Sequence, residues 1–563
     1  MQLEVNTSYH GQLITNNTKQ MKRYNRYIGL FLLSLGLVSC DVNNELDPIL
    51  EPEVPVVALN AGGVDFSNYV AVGASFTAGY TDGALFKAGQ ENSFPNIVAS
   101  KFSMAGGGSF EQPLMEVNIG GLIFPTGQIA QAPRFYFNPA TGGPARLSAT
   151  PNTVIGVPVS NISTLNNFGV PGAKSFHLVA QGYGSLQALS LGLANPYYVR
   201  MASAPNASVL GDAMAQNPTF FTLSEVGGND VLGYALSGGD GSDPITPATT
   251  FDQAFGVLLS TLTSNGTKGV VGNVPYITNL ANFTTVPYNP LDPSNPDVAA
   301  QIPLLNTVYG AVNQIYAGAG QPERAIIFSE TDANPVVIYD EDATDLTVAI
   351  ATTLGASPTF IPFVQSLGLP AQAAPLVAQL LGQQYGKARS ATENDLLVLA
   401  SSAVIGEVNS DAVAALITQS GGLLPANLAG QFSVHGVTLP LADRFVLTPQ
   451  EQAEIKMATD SYNTIIETAV ASNPNAALVD LNGILAQAST TGVMFDGYNM
   501  TTSLVTGGLV SLDGVHLTSR GYALMANEML LAIDAEFGSN FGIATNGLAK
   551  ADNYPTNYSP ALQ

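Results

Sequence analysis

The chain has 563 residues, 46% hydrophobic and only 11% charged, and 42 acidic against 18 basic side chains give a formal charge of −24. This length exceeds one ordinary core, so a large domain with an insertion, or two domains, is expected. Phosphate neutralisation needs clustered Lys and Arg, and no basic run follows residue 27, which excludes a nucleic-acid binder.

In chain order, the first feature is a targeting signal. "MKRYNRYIGLFLLSLGLVSC" runs from Met21 to Cys40, with a basic start at Lys22, Arg23 and Arg26, an apolar stretch over 27–38, and small Ser39 before the only cysteine. The apolar stretch is too short for a stable bilayer anchor, and the layout is that of a secretory signal. Leu37-Val38-Ser39-Cys40 resembles the bacterial lipobox. That resemblance implies acylation of Cys40, a membrane contact through the lipid, and a place in the bacterial cell envelope, at the outer membrane. Met21 is read as the true start and residues 1–20 as an upstream segment. Acidic, proline-bearing residues 41–65 read as a tether to a folded body.

From Phe66 onward, short apolar runs alternate with helix-like segments, which predicts α/β architecture with a central parallel sheet. "NYVAVGAS" is the first strand and "SFPNIVASKF" the first long helix, with Ser93 as cap and Pro95 in its first turn. Residues 105–160, rich in Gly, Pro and Thr, read as surface excursions. "STLNNFGVPGAKSF" and "PTFFTLSEVGGND" each give a strand, a glycine turn and a helix. "KGVVGNVPYI" is a further strand, and "RAIIFSE" is read as one more. Residues 343–440 are Ala/Leu-rich without a strand pattern and read as an inserted helical lobe, interrupting a domain of 66–340 and 441–542. Thr448, Pro449 and Glu451 form a capping box ahead of a helix whose apolar face is Ile455, Ala458, Tyr462, Ile465 and Ala469. "AALVDL" is the last strand. The last helix has Thr518 as cap and Gly538 as stop, and 543–563 form an irregular tail.

Three strand-to-turn junctions end in Gly, Ser or Asn, where an open α/β sheet places its ligand crevice. Asp513 stands three residues before His516 in "SLDGVHLTSRGY". At that offset on a turn a carboxylate can accept from Nδ1–H and leave Nε2 free to take a proton. A serine hydroxyl needs such a base, and a tetrahedral oxyanion needs aimed N–H donors. Ser75, Gly172, Asn229 and His516 supply those kinds of group.

"GASFTAG" (73–79), "NFGVPGA" (167–173), "GGND" (227–230) and "DGVH" (513–516) resemble, in order, the four blocks of the SGNH (GDSL-type) hydrolases, in a bacterial lipoprotein branch. The resemblance implies a three-layer α/β/α sandwich of flavodoxin-like plan. It implies Ser75 as nucleophile, His516 as base and Asp513 as its partner. The oxyanion donors would be the N–H groups of Ser75 and Gly172 and the Asn229 amide, with Gly169 competing for the Gly172 role. Ala74 departs from the aspartate of GDSL. The activity implied is that of a lipase, esterase or acylhydrolase on a small-molecule or lipid ester, without a cofactor. Phe360 and Phe363 in the lobe lean the substrate towards an apolar acyl chain. Glycan O-deacetylation and ligand capture by a non-catalytic lipoprotein are the competing functions. His177 and His435 read as structural, although His435 could line the pocket. The histidines are scattered and Cys40 is the only cysteine, so no zinc site is expected; the acidic run at 339–345 could bind a calcium ion but reads as a solvated charge run, and no metal site is assigned.

Overall fold

Largely buried, mostly apolar runs make the central strands, as parallel sheets covered by helices require. In the computed structural model, which describes residues 56–563, they are β1 (Tyr69–Gly73), β2 (Asn167–Gly169), β3 (Phe220–Ser224), β4 (Lys268–Gly272) and β5 (Ala476–Val479). The targeting signal, Cys40 and most of the tether lie outside the described residues. The strands run parallel in the order β5-β4-β3-β1-β2, the central five-stranded sheet of a mixed α/β body compatible with an α/β sandwich. After β2 the chain crosses β1 to reach β3, so the order reverses there. The crevice outside the carboxyl ends of β1 and β3 is the topological switch point.

Around the sheet lie α1 (Ser75–Ala78), α2 (Phe94–Phe102), α3 (Gly228–Leu236), α4 (Ala248–Leu262), α5 (Pro449–Ala471), α6 (Leu481–Ala488) and α7 (Ser519–Phe537). α2 packs on α7, and α4 on α5. Phe66 and Phe102 stack at 3.9 Å between ring centroids, and the edges of Phe102 and Phe537 meet the Phe220 ring of β3. Truncating one such buried ring typically costs about 3–5 kcal/mol.

The helix ends follow their sequence signals in most cases. The Thr448 hydroxyl accepts from Glu451 N–H while the Glu451 carboxylate accepts from Thr448 N–H, a closed capping box. Thr518 caps α7, and Gly538, at φ +72°, stops it. Ser93 occupies the cap position of α2, but its hydroxyl donates to Gln112 instead of serving the helix. On α5 the buried stripe is Ile455, Thr459, Tyr462, Ile466 and Val470, with Ala458, Ile465 and Ala469 on its half-buried flank. Thr459 satisfies its hydroxyl on the Ile455 carbonyl, which lets a polar residue join the buried face.

A second hydrophobic core draws its residues from Leu291 to Val446, in the same unit, which spans Val57–Gln563. It therefore starts upstream of the expected 343 and includes the helix Ile302–Gly318. Two short antiparallel pairs, Val337–Tyr339 with Ala388–Ser390 and Leu396–Leu397 with Val446–Leu447, place two strands, Ala388–Ser390 and Leu396–Leu397, inside 343–440, where only helix was expected. "RAIIFSE" joins no sheet: Arg324 closes a short 3-10 turn, and residues 325–329 after it form no strand. Its main chain is paired by two side-chain amides of the preceding helix. Asn313 receives Ile326 N–H and donates to the Ile326 carbonyl, and Asn306 does the same at Phe328, all at 2.8–2.9 Å. Residues 105–160 contain two small antiparallel ribbons, Leu122–Ile123 with Ile129–Gln131 and Phe135–Asn138 with Gly143–Arg146. They are not bare excursions: Met115, Leu122 and Ile155 bury a small apolar cluster against Ala78 of α1.

Candidate active site

β1 ends at Gly73, which faces Ser224 across the ladder to β3. A Cβ on Gly73 would stand 2.2 Å from Thr77 Oγ1 and 2.5 Å from the Ser224 carbonyl oxygen. Glycine is needed there for the chain to turn at once into α1. Ser75 is the first residue of that single helical turn and is 5% exposed. Gly169, at the end of β2, lies under the same turn, since a Cβ on it would meet Ala78 N at 2.2 Å. That close packing gives Gly169 a structural reason to be glycine.

β3 is followed directly by Glu225, a non-glycine residue held at φ +59°. Such a conformation is costly and marks a position the surroundings over-determine. Glu225 Oε2 accepts from the N–H of Phe76 at 2.6 Å and of Thr77 at 3.0 Å. The two junctions of the switch point are thus tied together through the turn that follows Ser75. Burial pushes the Glu225 carboxyl up to about 7, against the hydrogen bonds of Phe76 and Thr77 and the nearby His516 ring, which lower it. No motif singled out Glu225; its only sequence trace is its place in "SEVGGND", directly before the glycines.

Asn229 lies in the first turn of α3, and its Nδ2 donates to the Ala173 carbonyl at 2.9 Å. One of its two N–H groups is used this way. The bond draws the Asn229 turn to the loop containing Gly172, which has φ +79° and open space where a Cβ would be.

The loop before α7 presents His516. Its Nδ1 lies 2.8 Å from Asp513 Oδ2, and the ring packs against Tyr80 and Phe76, with centroids 4.5 and 6.0 Å away. Asp513 Oδ2 also accepts from Gly83 N–H, while Oδ1 accepts from Ser511 Oγ and from the N–H groups of Val515 and His516. Burial alone would raise the Asp513 carboxyl, but the His516 charge and these hydrogen bonds hold it well below the usual carboxylate range. It is fixed as an anion aimed at Nδ1, which leaves Nε2 for other work. A second buried carboxyl, Asp82, accepts from Leu512 N–H, and burial pushes it up to about 7.

Ser75, Glu225, Asn229 and His516 line one cleft that opens in part to solvent. Ser75 Oγ and His516 are not hydrogen-bonded to each other; such contacts often tighten only when substrate is bound. Gly172 does not line the cleft; its neighbour Ala173 accepts from Asn229, which does. The remaining wall is apolar and comes from Leu232, Leu280, Ile484, Leu485, Leu524 and Met525, among others. No residue of the second core lines it. Phe360 and Phe363 line a separate groove within the lobe, and His435 is likewise outside the cleft. His177 stacks on Tyr183 and accepts from Lys174 N–H, and burial pushes it down to about 4, so it is a neutral packed ring.

The arrangement can hold an apolar group beside a hydroxyl, an oriented imidazole and an amide donor. Comparison with known proteins adds no name to it: no family model, no curated protein and no solved structure matches the chain.

Proposed function

We propose that the chain is a serine ester hydrolase of the SGNH type, with the three-layer sandwich of that family, acting on esters with an apolar acyl chain. The observation that carries the reading is the meeting of Ser75, Asn229 and the Asp513–His516 pair in one cleft, from stretches more than 400 residues apart at the extremes. His516 Nε2 takes the proton of Ser75 Oγ as Oγ adds to the ester carbonyl. Asp513 steadies the imidazolium that forms. The oxyanion is met by the N–H of Ser75 and by the free amide hydrogen of Asn229, where one such donor is typically worth about 10²–10³ in rate. His516 then returns the proton to the departing alcohol, and water, activated by the same ring, releases the acid from the acyl-enzyme. The sequence of steps calls for no cofactor. The apolar wall favours an acyl chain over the polar surroundings that a glycan acetate would need.

The purified protein should take up a fluorophosphonate at Ser75 and hydrolyse p-nitrophenyl esters, and Ser75→Ala should abolish both. Esterase activity that survives in Ser75→Ala, or a wild-type chain that neither reacts nor hydrolyses, defeats the proposal in favour of a ligand-binding protein. Export and acylation at Cys40 belong to the same proposal. Incorporation of labelled fatty acid into the wild type but not into Cys40→Ala is the expected result.

A further inference from the structure

Glu341, Asp443 and Glu451 approach one another from three separate segments, and one carboxylate oxygen from each lies within 4.8 Å of the other two. Glu341 follows the lobe strand Val337–Tyr339, Asp443 opens the short turn Asp443–Phe445, and Glu451 sits in the first turn of α5. The Glu451 residue is 1% exposed. Its Oε2 accepts from the N–H and hydroxyl of Thr448, at 2.6 and 2.9 Å, whereas its Oε1 is buried with no hydrogen-bond partner. Asp443 Oδ1 is also buried and unpartnered. Among the described residues no lysine, arginine or histidine forms an ion pair with any of the three.

Buried acceptors without donors are expensive, and facing carboxylates without a counter-charge repel one another. The turn Gly238–Gly239 closes over the cluster, with φ +67° and +80°. A Cβ on Gly239 would come 2.2 Å from Glu451 Oε1, and one on Gly238 2.0 Å from the Asp443 carbonyl oxygen. Only bare backbone can approach so closely.

We propose that Glu341, Asp443 and Glu451 bind a divalent hard cation, calcium in preference to magnesium. All three donors are oxygens, without the nitrogen or sulfur that zinc selects. Oxygens bound to one calcium ion at about 2.3–2.6 Å can stand at most about 5 Å apart, which the cluster satisfies as it is. Calcium accepts irregular shells completed by main-chain carbonyls and water, whereas magnesium demands a near-ideal octahedron. The ion would join the lobe, through Glu341, to α5 of the sheet-bearing body. It would lie beyond the end of α3, the helix that starts with Gly228 and Asn229. The acidic run at 339–345 thus contributes a ligand instead of lying wholly in solvent.

The test uses the full purified chain, freed of metal with EDTA and titrated calorimetrically with CaCl2 and then, separately, with MgCl2. Calcium should bind at one site per chain, at least tenfold more tightly than magnesium, and should raise the thermal unfolding midpoint. Glu341→Gln with Asp443→Asn should lose the binding and the calcium-dependent rise, yet unfold in EDTA no lower than the wild type, because like charges have been removed. If the double variant does not fold, Glu341→Gln alone should weaken binding at least tenfold. A wild-type chain that shows neither binding heat nor a calcium-dependent midpoint overturns the site, as does a folded variant that binds as tightly as the wild type. Neither readout depends on hydrolase activity.

Discussion

Glu225 Oε2 lies 2.6 Å from the main-chain nitrogen of Phe76, so the residue just after β3 holds the turn that follows Ser75. Glu225→Ala should therefore lower kcat about 10–100-fold with little change in KM, since the turn loses its anchor while the apolar wall of the cleft stays intact. Glu225→Gln, whose amide oxygen still accepts, should recover most of that loss. An alanine variant with the wild-type kcat would show that the bond has no bearing on turnover.

The same residue predicts a pH dependence of stability. The folded state keeps the Glu225 proton up to about 7, whereas an unfolded glutamate has lost it by about 4.3. Over that window the folded state binds more protons, so this group's contribution falls as pH rises. Glu225→Gln should be more stable than the wild type at pH 8, by about 1–2 kcal/mol, and equal or less stable at pH 4. Denaturant unfolding at the two pH values measures the difference, and a gap independent of pH would contradict it.

The candidate site was legible where its geometry is local. Asp513 and His516 stand three apart on one turn, so their pairing follows from spacing, and short blocks at strand ends marked Ser75 and Asn229. Glu225 was not legible, because its partner Phe76 is 149 residues away and no spacing rule connects them. Gly172 shows the reverse case: its block is recognisable, yet the loop holds it outside the cleft lining. The parallel sheet could be read from five buried apolar runs. The start of the lobe could not, since Ile302–Gly318 has the apolar pattern of any core-facing helix, and pattern does not say which core it joins. "RAIIFSE" has a strand's composition, but asparagine side chains, not a neighbouring strand, pair its main chain.

Asp513→Asn keeps the shape of the side chain and removes the charge that orients His516. Turnover should fall by about 10³–10⁴, with fluorophosphonate labelling slowed in proportion. Because the folded Asp513 carboxyl is depressed, its stabilisation is complete above the unfolded value of about 3.9 and is lost as pH falls towards the lower folded value. The variant should consequently be less stable than the wild type at pH 7, and the gap should close in strong acid. Unfolding curves that run parallel down to pH 2 would argue against that linkage.

Gly73→Ala should destabilise the fold by about 2–4 kcal/mol, because the added methyl group meets main-chain oxygen at 2.5 Å as well as the Thr77 hydroxyl. Chemical denaturation is the measurement, and an unchanged midpoint would mean that the β1 turn relaxes freely.

Ile484 lines the apolar wall on α6. Ile484→Trp should reduce kcat/KM for p-nitrophenyl decanoate at least tenfold while leaving p-nitrophenyl acetate within about threefold. Equal losses on both esters would indicate that the acyl chain does not lie along α6.

Asn306 and Asn313 constrain their helix in a way ordinary packing does not. Seven residues amount to nearly two full turns, so both amides point to one side and meet alternate residues of a chain running the other way. An insertion of one residue between them would swing one amide by about 100° around the helix axis and strip two main-chain groups of their partners. Length variation in this lobe should accordingly be confined to its connecting loops, with the stretch between the two asparagines fixed in length.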